Sequence, residues 1–304
     1  MARLDGTDLD VFALCLGGNV FGWTADEQAS FAVLDAYAAA GGNFIDTADV
    51  YSYWVPGHTG GESETIIGRW MAARGNREQM IIATKVGHDR DLRPAAIAAG
   101  AQASLERLQT DRIDLYYMHN DDPGTPFEQS LGAFAELVAA GSVRHIGASN
   151  FTAARLREAL EVAEREGLPA VVALQNQYNL VARDYEGELA ALVAQRGIAA
   201  VPYYGLASGF LTGKYRAGAP APDSPRAGSA QALAEERGAV LDALDEVARA
   251  HETTPAAVAL AWLAAQPTVV APIASARNIE QLEELLAFTA LDLAADELDA
   301  LGSA

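Results

Sequence analysis

Short apolar runs and amphipathic stretches alternate along the whole chain. Eight runs are apolar almost throughout: 13–17 (ALCLG), 43–46 (NFID), 80–85 (MIIATK), 113–119 (IDLYYMH), 143–149 (VRHIGAS), 172–177 (VALQNQ), 198–204 (IAAVPYY) and 269–274 (VVAPIA). Strands buried on both faces of a parallel sheet have this pattern, because neither face meets water. Between them lie helical patterns over 25–40, 62–74, 94–108, 126–140, 152–166 and 186–196. In the fourth, Phe127, Leu131, Phe134, Leu137 and Val138 recur at helical spacing and make one apolar face. Thr24 with Glu27 reads as a capping box, and Thr254-Pro255 as a cap followed by a first-turn proline. Gly41, Gly75, Gly141, Gly167 and Gly197 fall just past helix ends.

Eight strands alternating with helices over 304 residues predict an α/β fold, a (β/α)8 TIM barrel, over an open sheet. The turn sequence in RLDGTDLDV (3–11) predicts a short hairpin that caps the bottom of the barrel, and further helices are expected near the C-terminus. With no internal repeat and no linker, residues 1–304 read as one domain. The one irregular stretch is 215–230 (YRAGAPAPDSPRAGSA), and loops of that length in a compact domain usually carry function.

Composition narrows the class. A formal net charge of -20 argues against nucleic acid as a partner, since a polyanion is held by Lys and Arg. A small anionic ligand needs only one or two local cations and stays open. Cys15 is the sole cysteine, which excludes an internal disulfide and cysteine-based metal sites and fits a reduced cytoplasm. No apolar run reaches the length of a membrane span, so a cytoplasmic protein without membrane association is expected. No His-Cys or His-x-x-x-His spacing points to a metal.

In such a barrel, chemistry gathers at the C-terminal ends of the strands. Strand two ends in Asp46, with Tyr51 shortly after; strand three ends in Lys85 and strand four in His119. The next three strands end in Ser149-Asn150, Gln175 and Tyr203-Tyr204. A tyrosine is a poor acid at neutral pH unless a nearby cation stabilises its phenolate, and Lys85 can supply that cation. Asp46 can hold Lys85 protonated, and His119 can hydrogen-bond a carbonyl oxygen. Together they polarise and protonate a C=O. The hydride that completes a reduction must come from a nicotinamide cofactor.

These residues resemble the Asp-Tyr-Lys-His tetrad of the aldo-keto reductases. GASNF (147–151), QNQYNL (175–180), GFLTGKY (209–215) and PIASARNIEQLEE (272–284) are similar to that family in order and spacing across essentially the whole chain, most closely to members with a short C-terminal tail. The resemblance implies Asp46, Tyr51, Lys85 and His119 as catalytic residues, with Tyr51 the general acid. It implies Ser149, Asn150 and Gln175 on the nicotinamide carboxamide and Tyr203 stacked on its face. Leu206, Ser208, Gly209 and Lys214 fall in the segment that wraps the pyrophosphate. Ser275, Arg277, Gln281 and Glu284 fall at the adenosine end. Arg277 suits a 2′-phosphate, because a guanidinium binds phosphate as a fork, so NADPH/NADP+ is favoured over NADH. The chain departs from the family's usual Ser-Pro with Tyr204-Gly205, and Leu285 stands where an Asn is common.

A small-molecule carbonyl is the implied substrate, with Phe21, Trp23, Trp54, His88 and Tyr204 as candidate lining. Trp70 and Trp262 read as core, and Asp49 as an exposed loop acid whose replacement by Asn should matter little. The leading expectation is an NADPH-dependent reductase of aldehydes or ketones, including bulky carbonyls and keto sugars. Physiological oxidation of a secondary alcohol is a variant of it. An NADP(H)-binding regulatory or sensing subunit with slow turnover is the expectation from another class. Oligomeric state is not legible here.

Overall fold

The structure is a computed structural model, and residues 1–220, 222, 224 and 226–304 are described. A hairpin of β1 (Ala2–Arg3) and β2 (Asp10–Val11) precedes β3 (Cys15–Gly17), α1 (Glu27–Ala39), β4 (Phe44–Asp46) and α2 (Glu62–Arg74). Next come β5 (Ile81–Val86), α3 (Pro94–Leu108), β6 (Ile113–Met118), α4 (Phe127–Ala139), β7 (Val143–Ser149) and α5 (Ala153–Glu166). The chain continues through β8 (Val171–Gln175), α6 (Glu188–Arg196), β9 (Ala199–Ala200), α7 (Ala227–Glu236), α8 (Gly238–Ala250) and α9 (Pro255–Ala264). It ends in β10 (Ile273–Ala274), α10 (Ile279–Leu286) and α11 (Ala295–Ser303).

Eight strands, in the order β10-β3-β4-β5-β6-β7-β8-β9, form one parallel sheet, as the eight apolar runs predict. Hydrogen bonds from Ala200 N to Thr268 O (2.8 Å), from Val270 N to Ala200 O (2.9 Å) and from Ile273 N to Pro202 O (2.8 Å) join its two edges. The sheet is thereby closed into the (β/α)8 barrel, a form that leaves no exposed edge.

The barrel separates two apolar clusters. Inside lie Cys15, Phe44, Ile81, Ala83, Leu115, Tyr117, Ala173, Ala199 and Ala271, closed from below by Leu4, Leu9 and Val11 of the N-terminal hairpin. Outside, Ile45, Ile82, Tyr116, Met118 and Leu174 pack beneath the helices. Because side chains alternate along a strand, the inward series Phe44–Asp46, Ile81–Ala83–Lys85, Leu115–Tyr117–His119 and Ala173–Gln175 each end in a polar group at the rim. Four apolar interiors therefore deliver four polar side chains to one place.

Helix boundaries follow local chemistry. Thr254 caps α9 by accepting from Ala257 N, with Pro255 in the first turn. The capping box expected at Thr24 and Glu27 does not form. Asp26 caps α1 instead, accepting from Ala29 N at 2.8 Å, and the Thr24 hydroxyl is buried without a protein partner. Of the irregular stretch 215–230, residues 221, 223 and 225 lie outside the described residues, and 227–230 open α7. Trp70 and Trp262 are core residues, as expected. Among the described residues, no helix is long and apolar enough to cross a membrane.

The α2–α3 contact is the tightest between helices at a glycine. A Cβ on Gly68 would lie 2.3 Å from the Arg107 carbonyl oxygen, whereas one on Gly132, mid-α4, would meet nothing within 4 Å. Gly68→Ala should destabilise the protein by about 1–3 kcal/mol through overpacking. Gly132→Ala should stabilise it by about 0.5–1 kcal/mol through helix propensity. Thermal or urea unfolding of the two variants checks the opposite signs; a stable Gly68→Ala would contradict the packing.

Candidate active site

The four rim groups meet at a cavity of about 740 Å³ that opens at the C-terminal ends of the strands. At its floor the Lys85 ammonium is fully buried, yet all three of its N–H groups have acceptors. These are Asp46 Oδ2 (2.7 Å), the Thr47 carbonyl (2.7 Å) and the Tyr51 hydroxyl (3.0 Å). Burial works against the charge, but Asp46 and Tyr51 outweigh it and raise the ammonium above the usual lysine range. The other oxygen of Asp46 accepts from Gln175 Nε2 at 2.8 Å. Asp46 thus bridges β5 and β8 across the inside of the barrel.

Tyr51 is delivered by the loop after β4, whose start remains tied to β5 through Thr47 N to Ala83 O (2.8 Å) and Asp49 N to Lys85 O (3.3 Å). Burial pushes its phenol up to about 12; Lys85 opposes the shift and Asp46 adds to it. Lys85 thus acts on Tyr51 in the expected direction, toward a stronger acid, but burial outweighs it. The phenol keeps its proton at neutral pH, and Lys85 offsets only part of the cost of burial. Opposite it, His119 is driven down to about 2 by burial, helped by Lys85 and His88, so its imidazole is neutral. The rings of Tyr51 and His119 stand 6.3 Å apart, edge to face.

A second network surrounds this floor. Ser149 Oγ donates to the Gln175 carbonyl (2.7 Å). The Asn150 amide donates to the His119 carbonyl (2.9 Å) and its oxygen accepts from the Tyr203 hydroxyl (2.7 Å). Asn150 holds a left-handed φ of 59° to do so. Leu206, Ser208, Gly209 and Lys214 continue the wall, and Ala207, Ser208 and Gly209 in succession are left-handed, in a tight turn of the kind that offers amides to an anion. Ser275, Arg277, Gln281 and Glu284 complete it beyond β10. Two cations, Lys214 and Arg277, and this turn form a donor set that suits a phosphate-bearing dinucleotide.

The residues named from sequence for catalysis and cofactor line this one cavity, save Lys85, which lies buried behind Asp46 and Tyr51. Of the candidate substrate residues, Trp23, Trp54, His88 and Tyr204 are on its wall. Phe21 is not. Its ring is fully buried in the core, and its carbonyl accepts from Ser52 Oγ at 2.9 Å. The sequence reading missed Asn19, whose oxygen accepts from Ser275 Oγ at 2.7 Å and so joins β3's loop to β10's. It also missed Asn120, Ser224 and Arg226 on the wall. Asn19 and Asn120 directly follow strand ends and were readable as rim residues. Ser224 and Arg226 lie in the loop after β9 and carried no periodic signal.

Asp49 is also corrected. It is half-buried, its Oδ1 has no hydrogen-bond partner, and burial reinforced by Glu64, against Arg107, pushes its carboxyl up to about 7. Glu64 is itself buried, bonded to Thr84 Oγ1 (2.5 Å) and Arg107 Nε (2.6 Å).

A family model, described as the aldo/keto reductase family, matches residues 13–304. The chain is 33% identical to Protein tas of Escherichia coli (strain K12), covering 97% of this chain and 94% of the relative. It is 35% identical to the oxidoreductase YrpG of Bacillus subtilis (strain 168), with 93% and 89% covered. Identity to the aldo-keto reductase yakc [NADP(+)] of Schizosaccharomyces pombe is 32%, with 89% and 80% covered.

The Asp49 carboxyl carries a pH signature. Its folded pKa exceeds the unfolded value of 3.8, so it favours the folded state only in acid. That advantage is lost as pH rises from about 4 to about 7, after which the buried charge costs in full. Asp49→Asn removes the charge, so its gain in Tm over the parent protein should grow between pH 5 and pH 7.5. A gain that is constant, or that shrinks with pH, would contradict the assignment.

Proposed function

The chain belongs to the aldo/keto reductase family, and on that premise we propose that it is an NADPH-dependent reductase of aldehydes or ketones with Tyr51 as general acid. One observation carries the reading. A buried Asp46–Lys85–Tyr51 contact set faces neutral His119 on a cavity whose far wall bears Lys214 and Arg277. NADPH, when bound, supplies the hydride that no side chain can give.

The chain's own groups do the rest. A carbonyl oxygen seated between Tyr51 and His119 receives one hydrogen bond from each, and the neutral imidazole adds no competing charge or proton. Tyr51 releases its proton as the oxygen gains alkoxide character, because an alkoxide is a stronger base than a phenolate. Lys85, 3.0 Å away, then stabilises the phenolate left behind. Asp46 keeps Lys85 charged and fixed, and Gln175 fixes Asp46. Ser149, Asn150 and Gln175 would hold the carboxamide end of the cofactor, and Tyr203 would supply a face for its ring. Leu206, Ser208, Gly209 and Lys214 would hold the pyrophosphate, and Ser275, Arg277, Gln281 and Glu284 the adenosine and its 2′-phosphate.

The reading is tested by following NADPH oxidation with a panel of reactive aldehydes and ketones. Tight NADPH binding with no turnover would favour a sensing role instead. Tyr51→Phe should lower kcat roughly 100- to 10,000-fold while leaving NADPH affinity nearly intact; a parallel loss of affinity would remove the assigned role. Arg277→Ala should weaken NADPH binding by about 1.5–3 kcal/mol and hardly change NADH binding, as expected for one lost charge-assisted contact. Titration of both cofactors checks this, and equal losses would contradict the 2′-phosphate assignment.

A further inference from the structure

Behind the loop that carries Tyr51 lies a buried cluster of charges that the chemistry above does not use. Residues 47–61 lead from β4 to α2 and lean on β5 through their backbone, with Thr47 N donating to Ala83 O (2.8 Å) and Asp49 N to Lys85 O (3.3 Å). Lys85 therefore meets this loop twice, its carbonyl at Asp49 and its ammonium at the Tyr51 hydroxyl (3.0 Å). Gly61 N closes the loop on the Tyr51 carbonyl at 3.2 Å. Only Val50 separates Asp49 from Tyr51, so a shift of one carries the other.

The Asp49 carboxyl is no part of the cavity wall. It faces Glu64 of α2, Arg107 of α3 and Tyr116 of β6, and the charge of Lys85 on β5 also reaches it. Glu64 is held by Thr84 Oγ1 (2.5 Å) and Arg107 Nε (2.6 Å), so the guanidinium nearest Asp49 is already engaged. Asp49 Oδ1 and the Tyr116 hydroxyl are both shut off from solvent and have no hydrogen-bond partner among the described residues. The loop packs directly on this cluster. A Cβ on Gly61 would lie 2.4 Å from Arg107 Nε, and one on Gly60 would lie 3.2 Å from the Asp49 carbonyl oxygen.

A neutral carboxyl rests in such a place at modest cost, but a carboxylate beside Glu64 and without a donor does not. The loop relieves that charge by carrying Asp49 toward solvent, and Tyr51 goes with it. Resting on the reductase reading above, we propose that Asp49 is a positioning residue for Tyr51: with its proton the loop seats the phenol on Lys85, and without it the loop withdraws both. The carboxyl, pushed up to about 7, holds its proton below neutrality, so the seated form is depleted as pH rises through that value. Tyr51 at about 12 and His119 at about 2 titrate far from it. A reacting group displaced by about 1 Å costs up to about 100-fold in rate.

Two measurements, one of them independent of turnover, test this. The first is kcat for a reactive aldehyde at saturating NADPH, from pH 5.5 to 9. The second is the tryptophan fluorescence of the cofactor-free protein over the same range. Trp54 belongs to the moving loop and stands 6.1 Å from Tyr51 and 5.5 Å from Trp23, so it reports the loop directly. In the parent protein kcat should fall about tenfold or more along a limb centred near neutrality, and the fluorescence should change with the same midpoint. Asparagine copies the shape of the neutral acid, so Asp49→Asn should lose both transitions and outpace the parent by about tenfold at pH 8.5. Its NADPH affinity should match the parent's at each pH. Glu64→Gln removes a charge that keeps the proton on Asp49, so it should move the midpoint to lower pH.

A limb that survives in Asp49→Asn would overturn the proposal and give the titration to another group, such as His88. So would a flat fluorescence profile in the parent protein, or a midpoint that stays or rises in Glu64→Gln. A fluorescence transition that Asp49→Asn removes, without turnover of any carbonyl, upholds the response of the loop and removes the reductase reading. Turnover with a pH profile that Asp49→Asn leaves unchanged does the reverse.

Discussion

A buried ammonium group is the constraint on which the rim of this barrel is arranged. Placing the charge of Lys85 inside the protein is costly unless every N–H finds an acceptor and a counter-charge stands close by. Three acceptors within 3.0 Å meet that condition, and they fix where Asp46, Thr47 and Tyr51 must be. The demand then propagates. The second oxygen of Asp46 needs a donor and takes Gln175; Gln175's backbone oxygen takes Ser149; Asn150 ties His119 to Tyr203. Residues from five strands are held in place by the need to satisfy one charge and its partner. The same geometry serves acid catalysis, since a cation beside a phenol lowers the cost of the phenolate it leaves.

Much of this was legible because the strands keep strict alternation. An apolar strand that ends in a single polar residue of inward parity reveals that residue's position, and Asp46, Lys85, His119 and Gln175 all have that form. The helices were readable too, from apolar periodicity and the glycines after them. What alternation cannot convey is depth once the chain leaves the strand. Asp49 and Tyr51 lie in the same loop, yet the loop folds back along β5 and takes the Asp49 carboxyl partly out of water. Phe21 looked like its neighbour Trp23, but the turn at Gly22 sends one ring into the core and the other to the cavity. Arg226 was invisible for a related reason: nothing in a proline- and glycine-rich segment specifies which strand end it folds over.

The charge distribution has its own logic. A net charge of -20 is spread over helix faces, where many arginines are consumed in ion pairs with neighbouring acids. On the cavity wall, Lys214, Arg226 and Arg277 lack such partners among the described residues. An acidic exterior with these cations on the cavity wall repels anions at long range and holds them at short range. Screening by salt shortens the first effect more than the second, because the cavity cations lie closer to a bound ligand than a Debye length.

The hairpin at the bottom of the barrel bears on how the molecule comes to exist. Leu4, Leu9 and Val11 pack in one cluster with Ala271 and Ile273, so the plug spans nearly the full sequence. Translation makes those residues well before the seat they occupy. Through most of synthesis they are apolar residues without a place to go, and the interior cannot close until β10 arrives beside β3. Contacts of such sequence separation slow folding and lengthen the time during which unfinished barrels expose strand edges. The last strand is thus needed at both ends of the barrel, to complete the rim beside β3 and to seat the plugged floor.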